Sequence, residues 1–141
     1  MNIKVIFCTF LFLSVTIASC QKLYWKDATN WTLYRYQGHR LFKIPLDSLQ
    51  SYDHLSLDQD SILAFMDSVQ LLNPKGAVAW MGGYIATCKL NGIVRKVEFS
   101  NYGGFFFDEK TRTYYTLPSE KTEDWITYLQ QQYLSLTRKQ Q

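Results

Sequence analysis

The dipeptide Asn91-Gly92 constrains the fold more than any other feature of this sequence. It lies between two runs of alternating character, residues 84–90 and 93–99. A two-residue type I′ turn needs positive φ angles at both central positions, and Asn-Gly is a pair that meets this need well. The sequence therefore predicts an antiparallel hairpin centred on this pair.

The turn also predicts the register of the hairpin, because alternate side chains of a strand point to the same face. Counting outward gives the pairs of the core face: Leu90 with Ile93, Cys88 with Arg95, Ala86 with Val97, and Tyr84 with Phe99. The other face pairs Thr87 with Lys96 and Ile85 with Glu98. Arg95 is the one charge on the core face. It either extends to solvent at the sheet edge or binds a buried carboxylate or a ligand anion.

Further strands are predicted on both sides of this hairpin. Gly103-Gly104 turns the chain into a strand over 105–107, and a turn over 108–111 leads into a strand over 113–117. Near the N-terminus, strands 31–36 and 41–44 form a separate hairpin around the loop 37–40. Residues 46–57 are expected to be a loop or a short turn.

Two amphipathic helices are predicted to pack on the sheet. The first begins after Asp58, a preferred N-cap residue, and ends near Asn73-Pro74. Its apolar residues recur at helical spacing: Ile62, Phe65, Met66, Val69 and Leu72. The second begins after Ser119 or Thr122 and carries an apolar stripe: Trp125, Leu129, Tyr133 and Leu136. The predicted fold class is α+β, an antiparallel meander of about four strands plus the N-terminal hairpin and two helices.

The first twenty residues have the pattern of a secretion signal. Lys4 precedes an apolar run over 5–17, and the small residues Ala18 and Ser19 come before Cys20. This run is shorter than the roughly 20 residues that a transmembrane helix needs. A charged start, a short apolar centre and small residues before a cut site are typical of a cleaved signal peptide.

The segment Ile17-Ala18-Ser19-Cys20 resembles the lipobox of bacterial lipoprotein precursors. The resemblance covers only the leader and assigns no family to the rest of the chain. It implies that residues 1–19 are removed and that Cys20 receives a diacylglyceryl group and further acylation, such as palmitate. An ordinary secretion signal and an uncleaved N-terminal anchor are the alternatives.

The length of the mature chain predicts how it is organised. From Cys20 to Gln141 there are about 120 residues, enough for one compact domain and too few for two with separate cores. Residues 20–30 are expected to be a short membrane-proximal tether, and residues 31–141 a single domain. Gln21 after the cysteine resembles precursors that are sorted to the outer membrane. We therefore expect a lipid anchor there, with the domain on the periplasmic or the surface side, and not in the inner membrane.

Charge argues against binding to nucleic acid. Without Lys4, the mature chain has 14 basic and 12 acidic residues, a formal charge of +2. Nucleic acid binding usually depends on a clear excess of Lys and Arg on one surface. We therefore expect no nucleic acid partner.

Catalytic and metal-binding patterns are weak. The two histidines, His39 and His54, lie in predicted loops, and Cys88 is predicted to point into the core. The segment Asp58-Gln59-Asp60 lacks the glycine of a calcium-binding loop, and no zinc-ligand spacing is present. We expect no enzyme activity, no metal site and no cofactor. A Cys–His pair formed through folding is the remaining enzymatic alternative.

An acidic segment favours recognition of a protein partner. Between residues 44 and 74 there are five aspartates and no Lys or Arg. Such a surface can steer a basic partner into contact. The candidate contact residues are Asp53, Asp58, Asp60 and Asp67. A solvated helix face is the alternative.

A surplus of aromatic residues in the meander favours the same function. Neighbouring residues of a strand point to opposite faces, so Phe105–Phe107 and Tyr114-Tyr115 divide between two faces. If helices cover only one face, an exposed patch results, and its candidate residues are Phe106 and Tyr114. If both faces are covered, these side chains belong to the core.

Together these features predict a lipid-anchored, non-enzymatic binding protein of the cell envelope that recognises a protein partner. Its size and anchor look like those of lipoprotein immunity factors, which neutralise antibacterial toxins, although no motif is shared. An accessory subunit of an envelope assembly is a second binding role. A small envelope hydrolase or ligand carrier is the competing class.

Overall fold

The computed structural model describes residues 24–36, 44–72 and 83–138. Within these ranges the fold is α+β, with one antiparallel sheet of seven strands, two α-helices and two short 3-10 helices. The strands are β1 Thr29–Tyr34, β2 His54–Ser56, β3 Gln70–Leu71, β4 Gly83–Leu90, β5 Ile93–Ser100, β6 Phe105–Asp108 and β7 Thr113–Thr116. Their order across the sheet is β2-β1-β4-β5-β6-β7-β3. The helices are α1 Gln59–Met66 and α2 Ser119–Arg138, and the 3-10 helices cover Trp25–Asp27 and Leu46–Ser51.

β4 and β5 form the hairpin that Asn91-Gly92 predicts. Asn91 has φ 52° and Gly92 has φ 75°, as a type I′ turn requires. The register is confirmed from Leu90–Ile93 beside the turn to Tyr84–Phe99 at the far end. The core-face residues Ala86, Cys88, Val97 and Phe99 are buried. Ile93 is 45% exposed, because it lies at the tip of the hairpin.

The meander continues as predicted through β6 and β7. β6 pairs with β5 on one side and with β7 on the other. The sheet then extends beyond the four predicted strands, since β7 also pairs with β3. β3 is only two residues long, too short to produce a periodic sequence pattern.

The N-terminal part of the sheet differs from the prediction. β1 lies inside the main sheet, between β2 and β4, whereas the sequence predicted that it forms part of a separate hairpin. Residues 37–43, which contain most of the predicted hairpin loop and second strand, lie outside the described residues. The segment 46–57, predicted as a loop or a short turn, contains a 3-10 helix and β2.

The main core lies between one face of the sheet and the helices. Trp25, in the first 3-10 helix, meets Phe106 with ring centroids 5.1 Å apart and perpendicular planes. Trp125 of α2 contacts Phe99 of β5 at 4.9 Å and Phe65 of α1 at 5.0 Å. Tilted and edge-to-face contacts add to the free energy gained from burying these rings. The described core thus includes Trp25, which lies within the segment that the sequence suggests as a tether.

α1 begins where predicted and ends early. The Asp58 carboxylate accepts a hydrogen bond from the Ser61 amide at 2.9 Å, which satisfies one of the free N–H groups of the first turn. The helix ends at Met66, well before Asn73-Pro74, and the chain then turns into β3. Val69 therefore lies outside the helix, yet it still packs against the main core.

α2 agrees with its prediction. It begins at Ser119 and buries its whole predicted stripe: Trp125, Leu129, Tyr133 and Leu136. Among the described residues, no helix is both long enough and apolar enough to cross a membrane.

The opposite face of the sheet is covered in part, and we call it the outer face. Leu49 of the second 3-10 helix and Ile85 of β4 are fully buried there. They pack with four partly buried residues: Tyr34, Tyr36, Ile44 and Tyr52. The sheet is therefore covered on both faces near β1 and β4.

Arg95 is buried on the core face and binds a carboxylate. Its Nη1 donates to Oδ2 of Asp108 at 2.6 Å, and the two side chains are 7% and 0% exposed. The Thr111 hydroxyl donates to the same oxygen at 2.5 Å. Of the alternatives left open by the sequence, a buried carboxylate is the one observed.

Removal of one partner from this pair should strongly destabilise the fold. An Asp108→Ala variant leaves the Arg95 guanidinium buried without its counter-charge, which should cost about 3–5 kcal/mol of unfolding free energy. Urea unfolding followed by tryptophan fluorescence measures the loss. The double variant Arg95→Met, Asp108→Leu, which buries no charge, should recover most of it. A loss below about 1 kcal/mol in the single variant would contradict the buried pair, since that is the range of exposed pairs.

Cys88 should be chemically inert while the domain is folded. Burial raises the pKa of its thiol to about 12, and the nearby charge of Asp108 contributes. The reactive thiolate is then only about 10⁻⁴ of the thiol at pH 8. We expect a polar thiol reagent to label Cys88 at least about a hundredfold more slowly in the native protein than in urea. Peptide mass spectrometry measures labelling at this position, and equal rates would show that the core face is open.

Candidate functional site

The four candidate aspartates are mostly engaged within the fold. Asp53 forms an ion pair with Arg35 at 3.6 Å. Asp58 caps α1. Asp67 accepts a hydrogen bond from Lys121 at 2.8 Å, and this bond lowers the pKa of its carboxyl group. Asp60 is exposed on the first turn of α1. Three of the four therefore have structural roles, although all four side chains remain exposed to solvent.

The two candidate aromatic residues lie on opposite faces of the sheet. Phe106 pairs with Tyr115, their rings stack at 5.3 Å, and Phe106 is fully buried in the main core. The prediction that Phe106 belongs to an exposed patch is therefore wrong, because Trp25 covers this part of the core face. Tyr114 lies on the outer face, where it pairs with Phe107.

The outer face carries an open pocket beside β6 and β7. Its volume is about 430 Å³, and it is lined by Phe107, Glu109, Arg112 and Tyr114. We call it the outer pocket. The rings of Phe107 and Tyr114 lie 4.7 Å apart, with their planes at 44°. Phe107 is only 7% exposed, so the pocket combines the partly exposed ring of Tyr114 with one acidic and one basic side chain.

The turn between β6 and β7 positions the two charged residues. Asp108, held by Arg95 and Thr111, begins the turn inside the core. Arg112 ends it with φ 53°, a conformation uncommon for residues other than glycine. The turn is thus fixed at its first residue by a buried ion pair, and it presents Glu109 and Arg112 on the other side of the sheet.

Lys96 is a buried residue of β5 that contacts the outer pocket through Glu109. Its ammonium group forms an ion pair with Glu109 and donates a hydrogen bond to the Ile44 carbonyl. Burial lowers the pKa of the Lys96 ammonium group, and the negative charge of Glu98 partly offsets this shift. The Glu109 side chain is 43% exposed whereas that of Lys96 is only 8% exposed. Glu109 therefore faces both the buried lysine and the solvent.

This arrangement suits binding. Aromatic faces accept apolar or cationic groups, and a guanidinium can donate two parallel hydrogen bonds to a carboxylate. No serine, cysteine or histidine lines the pocket. Cys88 lies on the opposite face with a raised pKa, and His54 is exposed with its ring nitrogen 3.2 Å from the Tyr52 carbonyl. Within the described ranges, no group of three or more His, Cys, Asp or Glu side chains is placed to hold a metal ion.

Sequence reasoning found Tyr114 and missed Phe107, Glu109 and Arg112. The signal was present, because the hairpin register places Phe99 in the core and Phe106 pairs beside Phe99. That pairing puts Phe107 on the outer face. The other candidates, Cys20 and His39, lie outside the described residues.

Comparisons with known proteins add no family. No protein-family model matches the chain, no curated protein matches it, and no solved structure matches it. The leader, the fold and the geometry of the outer pocket are therefore the basis for a functional conclusion.

Proposed function

We propose that this chain is a lipid-anchored, non-enzymatic binding protein of the cell envelope that recognises a protein partner at the outer pocket. The observation that carries the proposal is the Phe107–Tyr114 aromatic pair with Glu109 and Arg112 beside it. Tyrosine and arginine are among the residues that contribute most to protein interfaces. A small, open and partly charged pocket suits a side chain or a short segment of a partner.

The rigidity of the pocket favours tight recognition. Phe107 and Tyr114 belong to paired strands, and the turn that bears Arg112 is fixed through Asp108. Side chains that are ordered before binding lose less entropy when the partner arrives. The outer pocket can therefore bind without a large rearrangement of the sheet.

The charges of the pocket indicate the chemistry of the partner. Lys96 compensates the charge of Glu109, whereas Arg112 forms no ion pair with a carboxylate among the described residues. A carboxylate that reaches Arg112 while an apolar or aromatic group packs on Tyr114 would satisfy both features. The partner is then a protein that exposes an acidic residue beside an apolar one.

The anchor and the class of partner are also part of the proposal. The segment Ile17-Ala18-Ser19-Cys20 of the leader supports acylation at Cys20 and a location in the cell envelope. We favour the outer membrane over the inner membrane. We take the partner to be an antibacterial toxin, because an immunity factor acts by stoichiometric binding and needs no catalytic groups. The second candidate is an accessory subunit of an envelope assembly. Capture of the bound partner from membranes distinguishes the two, because an accessory subunit would bring down a resident envelope protein instead of a toxin.

Replacement of Cys20 tests the anchor. A Cys20→Ser variant lacks the thiol that would carry the lipid, so the protein should move from the membrane to the soluble fraction. Labelled palmitate should enter the parent chain and not the variant. The Cys88→Ser variant is the matched control and should stay on the membrane with its label. Mass spectrometry that finds an intact Met1, or Cys20 without modification, would overturn the anchor.

Replacement of pocket residues tests recognition. After capture of a stoichiometric partner from membranes, Arg112→Glu and Tyr114→Ala should each weaken its affinity by about 10- to 100-fold, the effect of losing an interface hot spot. Isothermal titration with the purified partner measures this. The matched control is Arg138→Glu, which makes the same charge reversal at an exposed residue at the end of α2 and should bind the partner normally. Thermal unfolding checks that each variant folds. Normal binding by both pocket variants, or turnover that is lost in His54→Ala, would reject the proposal.

A further inference from the structure

One end of the sheet brings the start of the described fold and the β4–β5 turn together. Thr29, the first residue of β1, pairs with Lys89 near the end of β4. Because all the pairings are antiparallel, the turn between β6 and β7 lies at this end as well. We call it the proximal end, since it is where the chain enters the fold.

The β4–β5 turn is the part of the described sheet that projects furthest at this end. On one side, the pairing of β1 with β4 stops at Lys89. On the other side, the last hydrogen bond towards β6 is the one from the Glu109 amide to the Lys96 carbonyl, at 3.2 Å. The residues beyond these points form a free hairpin tip within the described structure.

This hairpin tip is apolar where a tip is normally polar. Ile93 and Val94 are 45% and 49% exposed, respectively. The turn residues Asn91 and Gly92 carry no charge, and Lys89 is exposed beside Val94 in the register. Ile93 and Val94 are neighbours along β5 and point to opposite faces of the hairpin, so each side of the tip carries one exposed apolar side chain.

The length of chain before the fold limits where this tip can lie. Tyr24 follows Cys20 by four residues, and four residues span at most about 14 Å. Trp25 is fixed in the core by its contacts with Phe106 and Tyr115. If Cys20 carries lipid, the proximal end is therefore held close to the bilayer.

From this placement we infer that the β4–β5 tip lies on the bilayer surface, with Ile93 and Val94 in the interfacial layer and Lys89 directed towards the headgroups. The inference depends on the proposed lipid anchor, because two partly exposed apolar side chains are too small a surface to bind a membrane alone. The anchor supplies the missing affinity by raising the local concentration of lipid around the tip.

The contact is apolar rather than electrostatic. The exposed cations near the proximal end are Lys26, Lys89, Lys110 and Arg112. Acidic groups nearly balance them: Asp27, Asp58, Asp60 and the partly exposed Glu109. Asp58 and Asp60 belong to this end because the Gln59 side chain donates to the Ala28 carbonyl at 2.9 Å. Salt or anionic lipid should therefore change the contact little.

Depth-dependent fluorescence quenching on the anchored protein tests this orientation. The full chain, expressed with its leader and purified in acylated form, carries Val94→Cys labelled with a nitrobenzoxadiazole dye. The matched control is Asn101→Cys, exposed in the connection at the opposite end of the sheet. Buried Cys88 does not compete for the label. Both proteins are placed in phosphatidylcholine vesicles with and without nitroxide lipids, and Ile93→Cys serves as a second tip variant.

The expected result is quenching at the tip alone. Nitroxide lipids should reduce the dye signal at position 94 by about half and at position 101 by less than about a tenth, since an interfacial contact reaches the acyl boundary. Equal quenching at the two positions, in protein that floats with the vesicles, would overturn the orientation and leave the anchor intact. Protein that does not float with the vesicles would overturn the anchor and this inference with it. Quenching that required anionic lipid would refute the apolar contact.

Discussion

The buried ion pair between Arg95 and Asp108 joins β5 to the end of β6 on the core face of the sheet. Burying two charges costs several kcal/mol each, and their attraction offsets this cost only with good geometry and further hydrogen bonds. The 2.6 Å contact and the Thr111 hydroxyl supply two such bonds at Asp108 Oδ2, while Arg95 Nε and Asp108 Oδ1 are buried without a hydrogen-bond partner among the described residues. Since Asp108 is also the residue at which β6 ends, the same pair fixes the turn that places Arg112 at the outer pocket. A core interaction on one face thus determines the geometry of the outer pocket on the other.

Register explains why the aromatic residues divide as they do. Phe99 faces the core, so Phe106 beside it must do the same, and Tyr115 follows on β7. The intervening Phe107 and Tyr114 must then point outward. The 3-10 helix Leu46–Ser51 covers the outer face near β1 and β4, where Leu49 packs on Ile85. Towards β6 and β7 the outer pocket lies beside Tyr114, which is partly exposed, and Phe107, which is only 7% exposed.

The sequence predicted the parts of the fold that depend on local chemistry. Asn91-Gly92 determined the hairpin and its register, and Asp58 determined the start of α1. It did not predict β2 or β3, because strands of three and two residues arise from pairing with distant segments and leave no periodic pattern. The same reason explains the early end of α1, whose apolar spacing continues to Leu72 while the chain already pairs with β7. At the pocket, alternation identified Tyr114, but the choice of Phe106 failed because the register was not extended from β5 to β6.

The short distance between Cys20 and the core connects the fold to the proposed site of action. Trp25 belongs to the core and follows Cys20 by five residues. If Cys20 carries lipid, a domain held so closely cannot turn freely above a membrane, and its orientation then depends on which side chains lie at the proximal end. Phe107 and Tyr114 project from the face of the sheet, not from its end, because side chains stand roughly perpendicular to a sheet. A domain that rests on its proximal end would therefore present the outer pocket sideways, within reach of a partner that is itself at the membrane surface.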